Sequence, residues 1–204
     1  MPRPDETRFD CLVAGVGGQG AVLASRLVAA ACMAQGGFVR TAETIGMSQR
    51  GGSVTSHVRV AATVDGLPTS MIPRRGADLV IAFEPGEAVR SYGLLSPGGS
   101  MVCSTRPVVP SAAATSGYDG QAQVGWLCAH VGEGRFVAVD PAVLERGGLS
   151  PRCTNVLLLG AAVGLGALPF GEAELRDAVH RLVKPAYVEM NEQALALGMG
   201  LARG

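Results

Sequence analysis

Short apolar segments bounded by glycine, helical periodicity between several of them, and few aromatic residues predict a three-layer α/β/α sandwich. Its centre is a mostly parallel, Rossmann-like twisted sheet, closed by C-terminal helices. The 204 residues include 29 glycines and 48% apolar residues but only 4% aromatics. Such a composition favours close backbone packing between helices and sheet over an aromatic-lined cavity. The length and apolar content suffice for one core without disulfide staples, so residues 1–204 read as one domain, with 1–8 a flexible tail.

Residues 9–16 (FDCLVAGV) predict a buried strand, and residues 19–35 carry Ala, Leu and Val at helical spacing. Gly36 and Gly37 supply a left-handed helix stop, and the extended run 38–42 completes a βαβ unit. The regular alternation then breaks. A polar, glycine-rich loop, TIGMSQRGGS, leads directly into the alternating strand 54–60 (VTSHVRV). Doubly wound order resumes with a strand at 77–83, a short helix at 84–92 opened by Pro85, and a strand at 100–104.

Residues 106–130, rich in Pro, Ala, Ser and Gly, show no sustained period and read as an excursion whose VGWLCAHV end is partly buried. A strand at 136–139 and a short helix at 141–146 follow. Thr154 or Asn155 then caps a buried helix over 156–167, and two amphipathic helices, 172–183 and 185–202, finish the chain.

Seventeen basic residues balance 17 acidic ones, which leaves no electrostatic footprint for nucleic acid or an anionic membrane surface. The longest apolar run, 156–168, contains three glycines and falls short of the roughly 18 residues of a membrane span. The opening MPRPDETR has acids and prolines where a signal peptide needs a basic head and an apolar stretch, so a cytoplasmic location is expected. Cys11, Cys32, Cys103, Cys128 and Cys153 are too scattered for a C-x-x-C pair or an iron–sulfur run and read as buried free thiols.

Two motifs carry chemistry. Gly15, Gly17, Gly18, Gln19 and Gly20 belong to GVGGQG, which satisfies G-x-G-x-x-G between a strand and a helix. In that context the glycines let a phosphate approach backbone amides at a helix N-terminus; they also permit tight strand-to-helix packing with no ligand at all. A nicotinamide site further wants an acid at the end of the second strand, and Glu43 stands there, although a loop follows it instead of a helix.

The second motif, Ser48, Gln49, Arg50, Gly51, Gly52 and Ser53, combines a guanidinium fork, an amide, two hydroxyls and two glycines. Those are the ingredients of an anion-binding concavity, and equally of a surface turn held by Arg50. His57 alternates with Val54, Val58 and Val60 and reads as a satisfied structural histidine before a catalytic one, while His130 and His180 lack partners at metal-ligand spacing. Glu84 falls at the carboxyl edge of the sheet, where it suits either a ligand site or a helix start.

GVGGQG followed by a helix and AETIGMSQRGGSVTSHVRV resembles the gamma-type subunit of pyruvate, 2-oxoglutarate and indolepyruvate ferredoxin oxidoreductases. The likeness continues through GADLVIAFEPGEAVR, LLSPGGSMV, CTNVLLLGAAVG and PAYVEMNEQALALG, nearly the whole chain from Phe9. It lapses over 111–130, and KPAYVEMNE stands where the family more often has paired lysines. A free-standing chain of this length without ferredoxin motifs looks most like the beta subunit of the indolepyruvate enzymes.

The resemblance implies an accessory subunit, inactive alone, of an enzyme that oxidatively decarboxylates a 2-oxoacid to an acyl-coenzyme A and passes electrons to ferredoxin. Thiamine diphosphate, magnesium and [4Fe-4S] clusters would sit on a large partner subunit. This chain would hold no tight cofactor and no metal, and would supply no catalytic residue. It implies that Gly15, Gly17, Gly18, Gln19, Gly20, Gln49, Arg50, Gly51 and Gly52, flanked by Glu43, Met47, Ser48 and Ser53, line a surface receiving coenzyme A or sealing the partner's active site. A homodimer of the small chain is also compatible with the resemblance. The competing expectation is a free-standing NAD(P)- or nucleotide-binding protein.

Overall fold

The computed structural model describes residues 8–46, 52–67, 69–108 and 117–203. Six strands form one sheet: β1 (Arg8–Val16), β2 (Phe38–Ile45), β3 (Ser53–Ala61), β4 (Ala77–Ala82), β5 (Leu95–Ser104) and β6 (Phe136–Val139). They are ordered β2-β3-β1-β4-β5-β6. β3 pairs antiparallel with both β1 and β2, whereas β1, β4, β5 and β6 pair in parallel, so β3 alone opposes the common direction. The sheet is mostly parallel, as the sequence predicts.

Among the described residues, seven α-helices connect and cover it: α1 (Ala21–Ala34), α2 (Pro85–Ser91), α3 (Gly120–Val131), α4 (Ala142–Arg146), α5 (Thr154–Gly164), α6 (Glu172–Leu182) and α7 (Val188–Arg203). Alternation along the strands divides the core in two. Cys11, Val13, Leu79, Ile81 and Val102 pack with α1, α5, α6 and α7 on one face. Leu12, Val80, Ala82, Met101 and Cys103 pack with Ala88 of α2 and Leu127 of α3 on the other. Residues i and i+2 of a strand share a face, so the apolar inner runs 11–14 of β1 and 79–82 of β4 feed both cores.

One adjacency differs from expectation. β1, α1 and β2 are consecutive, yet β2 lies at the sheet edge with β3 between it and β1. β3 folds back antiparallel against both β2 and β1. Its register is set by a buried cross-strand ion pair. Asp10 lies directly opposite Arg59, whose Nε donates to Asp10 Oδ1 at 2.8 Å and whose Nη2 donates to Oδ2 at 3.2 Å. Arg59 is 2% exposed and Asp10 fully buried, so desolvation would be severe without further partners. Those partners exist: Arg59 Nη1 donates to the carbonyl oxygens of Thr69 and Met71, and Arg8 Nε pairs with Asp10 at 2.9 Å.

The excursion at 106–130 is also revised, because it contains α3. Asp119 caps this helix by accepting from the amides of Gln121 and Ala122, both at 3.0 Å. Thr154 and Asn155 prove to lie inside α5 with Cys153 in the cap position; Thr154 Oγ1 instead donates to the Pro151 carbonyl. Cys128 is exposed while the other cysteines are buried, and Arg8, expected in the tail, begins β1.

Glycines govern how α7 seats on α5. A Cβ on Gly164 would stand 2.5 Å from the Met199 carbonyl oxygen, and one on Gly160 or Gly198 would overlap the facing helix's backbone outright. Here glycine is required by close approach, since no rotamer can move a backbone carbonyl aside. Gly198→Ala should therefore destabilise the fold by at least about 2 kcal/mol, overpacking outweighing the roughly 1 kcal/mol that alanine gains in helix propensity. Gly200→Ala, on the exposed side of the same helix with nothing near its Cβ, should be neutral or stabilising by up to about 1 kcal/mol. Urea denaturation of both variants checks the contrast.

Candidate functional site

The connections diverge at the centre of the sheet. From β1 the chain passes through α1 on one face toward β2; from β4 it passes through α2 on the opposite face to β5. The crevice outside the carboxyl ends of β1 and β4 is thus the topological switch point, the usual ligand position in such sheets. GVGGQG lies here. Gly18 (φ 94°) and Gly20 (φ 86°) adopt left-handed conformations that turn the chain sharply into α1.

The two glycine motifs meet at this edge. The Gly17 amide donates to the Gly52 carbonyl at 2.9 Å, and the Gly46 amide donates to the Ser53 carbonyl at 2.8 Å, closing the neck of the β2–β3 hairpin. Ser53 Oγ donates to Glu87 Oε2 at 2.7 Å, which ties the hairpin to α2. Met47, Ser48, Gln49, Arg50 and Gly51 lie outside the described residues.

Gln19 faces its own loop. Its Oε1 accepts from the Val16 amide at 2.7 Å and its Nε2 donates to the Phe83 carbonyl at 3.1 Å, so the side chain staples the β1–α1 turn to the end of β4. Gly15 packs against the Phe83 side chain, where a Cβ would come within 3.0 Å. Glu43 is not brought to the loop. It is exposed on β2, opposite Ser56 of β3, which is opposite Val13 of β1; that is two strand spacings, roughly 9–10 Å, from β1. A nicotinamide site needs the acid-bearing strand beside the glycine strand, so inserting β3 removes Glu43 from that role.

A cavity of about 460 Å³ opens beside the first motif, lined by Gly18, Gly20, Phe83, Arg106, Arg152 and Asn155 among others. A second, of about 550 Å³, shares Leu23, Arg152 and Asn155 with it and extends to Lys184 and Tyr187. α1 begins here without a side-chain cap, so its first-turn amides have no partner within the helix, whereas at the start of α5 the Thr154 amide donates to the Pro151 carbonyl and the Val156 amide to Asn155 Oδ1 at 2.9 Å. No carboxylate lines either cavity, and Arg106 pairs with Glu145 at 3.2 Å outside them. The N-terminus of α1, two guanidiniums and an ammonium make the cleft favourable to an anion of extended shape.

Arg106, Arg152 and Asn155 went unrecognised as site residues in the sequence. They are isolated there, with no motif around them, and only the packing of α5 beside α1 gathers them. Asn155, 4% exposed, stands 3.2 Å from where a Gly20 Cβ would be, so bare glycine is what lets the two helix starts approach.

On the other face, Glu84 caps α2: its Oε2 accepts from the Glu87 amide at 2.9 Å, and Tyr118 Oη donates to its Oε1. Glu84 therefore acts as a helix start. His57 is buried, and its Nδ1 accepts from the Ile72 amide at 3.1 Å, the satisfied structural role expected of it. Burial, then neighbouring Arg59, hold its pKa below the ordinary value. Burial pushes the Cys32 and Cys103 thiols up to about 12, which keeps them protonated and unreactive at neutral pH. Among the described residues no three His, Cys, Asp or Glu side chains are placed to share a metal ion, and no helix is long and apolar enough to cross a membrane.

Fold and site together define an α/β protein with an anion-favouring cleft at the switch point of its sheet. The chain belongs to the pyruvate ferredoxin/flavodoxin oxidoreductase family, whose model matches residues 10–201. It is 35% identical over 200 residues to indolepyruvate oxidoreductase subunit IorB of Archaeoglobus fulgidus, with 96% of each chain covered. It is 32% identical over 197 residues to the subunit of the same name from Thermococcus kodakarensis, again covering 96% of both. Among solved structures, the gamma subunit of a keto/oxoacid ferredoxin oxidoreductase from Geobacter sulfurreducens shares the fold at a TM-score of 0.70 and 21% identity, covering 95% of this chain and 98% of that one. A 2-oxoglutarate:ferredoxin oxidoreductase from Magnetococcus marinus, solved with 2-oxoglutarate, coenzyme A and succinyl-CoA bound, matches 98% of this chain to 32% of its own at a TM-score of 0.73 and 21% identity.

Two outcomes follow from the local geometry. Gln19→Leu removes the partner of the Val16 amide and of the Phe83 carbonyl, and should cost about 1–3 kcal/mol while accelerating hydrogen exchange at Val16. His57, with its folded pKa below 6.5, resists protonation that the unfolded chain accepts. The unfolded state then binds more protons as pH falls below 6.5, so stability is full above that value and declines beneath it. Denaturation midpoints measured across this window should fall less steeply in His57→Gln.

Proposed function

We propose that this chain is the small, accessory subunit of a thiamine-diphosphate-dependent 2-oxoacid:ferredoxin oxidoreductase of the indolepyruvate or related type, and that its carboxyl-edge cleft receives part of coenzyme A. The overall reaction would be oxidative decarboxylation of a 2-oxoacid to its coenzyme A thioester, with electrons passing to ferredoxin. The chain-long likeness to indolepyruvate oxidoreductase subunits supports the assembly, and one observation carries the ligand: the anion-favouring cleft with Arg152 at its centre.

Thiamine diphosphate, where it is bound on a large partner subunit, supplies the carbanion chemistry of decarboxylation, and [4Fe-4S] clusters there carry electrons. This chain's residues do something simpler. The α1 amide end and Arg152 face the cleft and would hold a diphosphate by charge-assisted hydrogen bonds. Lys184 and Tyr187, at its far end, suit a further phosphate and a planar base. Arg50, two residues before Gly52 in the sequence, would add its guanidinium to the same ligand.

The test is steady-state kinetics of the reconstituted two-subunit enzyme. Arg152→Ala and Arg50→Ala should each raise KM for coenzyme A by about 10–100-fold, as loss of a charge-assisted hydrogen bond worth about 1.5–3 kcal/mol requires. KM for the 2-oxoacid should stay within a factor of about two and assembly should be intact, because a uniform-binding contact to one substrate is removed. Unchanged coenzyme A kinetics in both variants would remove the cleft from this role.

A further inference from the structure

A second basic pocket lies at the opposite edge of the sheet. Arg74 and Arg75 precede β4, Arg135 precedes β6, and His130 ends α3; together with Tyr92 and Ser96 they line a cavity of about 160 Å³ at the amino ends of the parallel strands. Strand lengths put it roughly 15–20 Å from the glycine loops, so one small ligand cannot span both.

Arg74, Arg75 and His130 are exposed and Arg135 is half-buried, so the pocket opens to solvent. No carboxylate lines the cavity, and none of its three arginines takes part in an ion pair among the described residues. Like charges are thus gathered without compensation. Arg135 is fixed in place, its Nη1 donating to the carbonyls of Pro97 at 2.8 Å and Gly99 at 3.2 Å, while its Nη2 lies over Gly132, 2.7 Å from where a Cβ there would stand. Arg75 has φ 57°, the left-handed region that no other non-glycine residue occupies among those described. That conformation costs a side-chain-bearing residue roughly 1–2 kcal/mol, and it is held by the Arg75 amide donating to the Gly93 carbonyl at 3.1 Å. Strain of this kind collects where a side chain must be aimed.

Beside the pocket stands a rigid aromatic wall. Trp126 stacks on His130 with centroids 4.0 Å apart, Tyr92 meets Trp126 edge-on at 5.1 Å, and His130 Nδ1 lies 2.7 Å from the Trp126 carbonyl. The cavity is smaller than the roughly 300–1,000 Å³ of a cofactor pocket and suits one compact oxyanion. Guanidinium forks match such an oxyanion bidentately.

We propose that Arg74, Arg75, Arg135 and His130 form a phosphoryl-binding site, separate from the glycine-loop cleft, that takes inorganic phosphate or the phosphate end of a nucleotide. Trp126 is the protein's sole tryptophan and stacks on a residue lining the pocket, so its fluorescence reports on this site and not on the distant cleft. Titrating the full chain with inorganic phosphate at constant ionic strength should give a saturable change. In the double variant Arg74→Ala, Arg75→Gly, which keeps the left-handed backbone, the midpoint should rise at least tenfold. Arg75→Asn alone, which also tolerates that backbone, should raise it by a smaller factor, whereas Arg152→Ala in the other cleft should leave it unchanged. AMP titrating below phosphate identifies a nucleotide as the source, and equal midpoints identify free phosphate; either supports the site. A response reproduced by chloride, no saturable response, an unshifted double variant, or an equal loss in Arg152→Ala overturns it.

Discussion

The arrangement depends on β3 lying antiparallel against β1. Nine residues of each strand are in register, and at the buried end of the pairing Arg59 faces Asp10 across the strands. A slip of one residue would turn every side chain to the wrong face and part that bidentate pair, leaving two uncompensated charges in the core. Replacing both by apolar residues could keep the stability; what the ion pair secures is one register among several. From that register follow the place of the hairpin neck beside Gly17, the meeting of the two glycine motifs, and the exile of β2 to the edge.

Much of the element structure was legible because its signals are local. Buried strands at 9–16 and 77–83, the glycine stop after α1 and the strand that follows a loop at 54–60 are read from runs, turn residues and alternation. Strand order was not legible. The βαβ appearance of residues 9–42 is the same whether β2 joins β1 directly or leaves a gap, and the gap is filled only by a hairpin whose return path is a tertiary choice. α3 escaped notice for a different reason. Its glycines and exposed Trp126 blur the apolar stripe, and the signal that survives is a single capping residue, Asp119.

The site divides in the same way. The glycine motifs announce themselves by composition, so the carboxyl edge could be chosen in advance. Arg106, Arg152 and Asn155 could not, since a parallel sheet joins its site from strand ends far apart in sequence. Close packing of α5 against its neighbours does the gathering, and glycine allows it twice: at Gly20, where Asn155 approaches, and at Gly160, Gly164 and Gly198, where α7 presses on α5. A chain poor in aromatics reaches a dense interior by bringing backbones together, and the same economy of side chains leaves the start of α1 bare at the cleft.

That bareness decides which part of the first motif can meet an anion. The Val16 amide is taken by Gln19 and the Gly17 amide by Gly52, so the front of the loop is already satisfied internally. The first intrahelical bond of α1 runs from the Ala24 amide to the Gly20 carbonyl, which leaves the amides of Ala21, Val22 and Leu23 without helical partners. Binding capacity therefore sits one turn further along the chain than the glycines themselves, at the helix start they create. Gln19 is then a positioning residue: by stapling the turn to Phe83 it aims α1 into the cleft, opposite the guanidinium of Arg152.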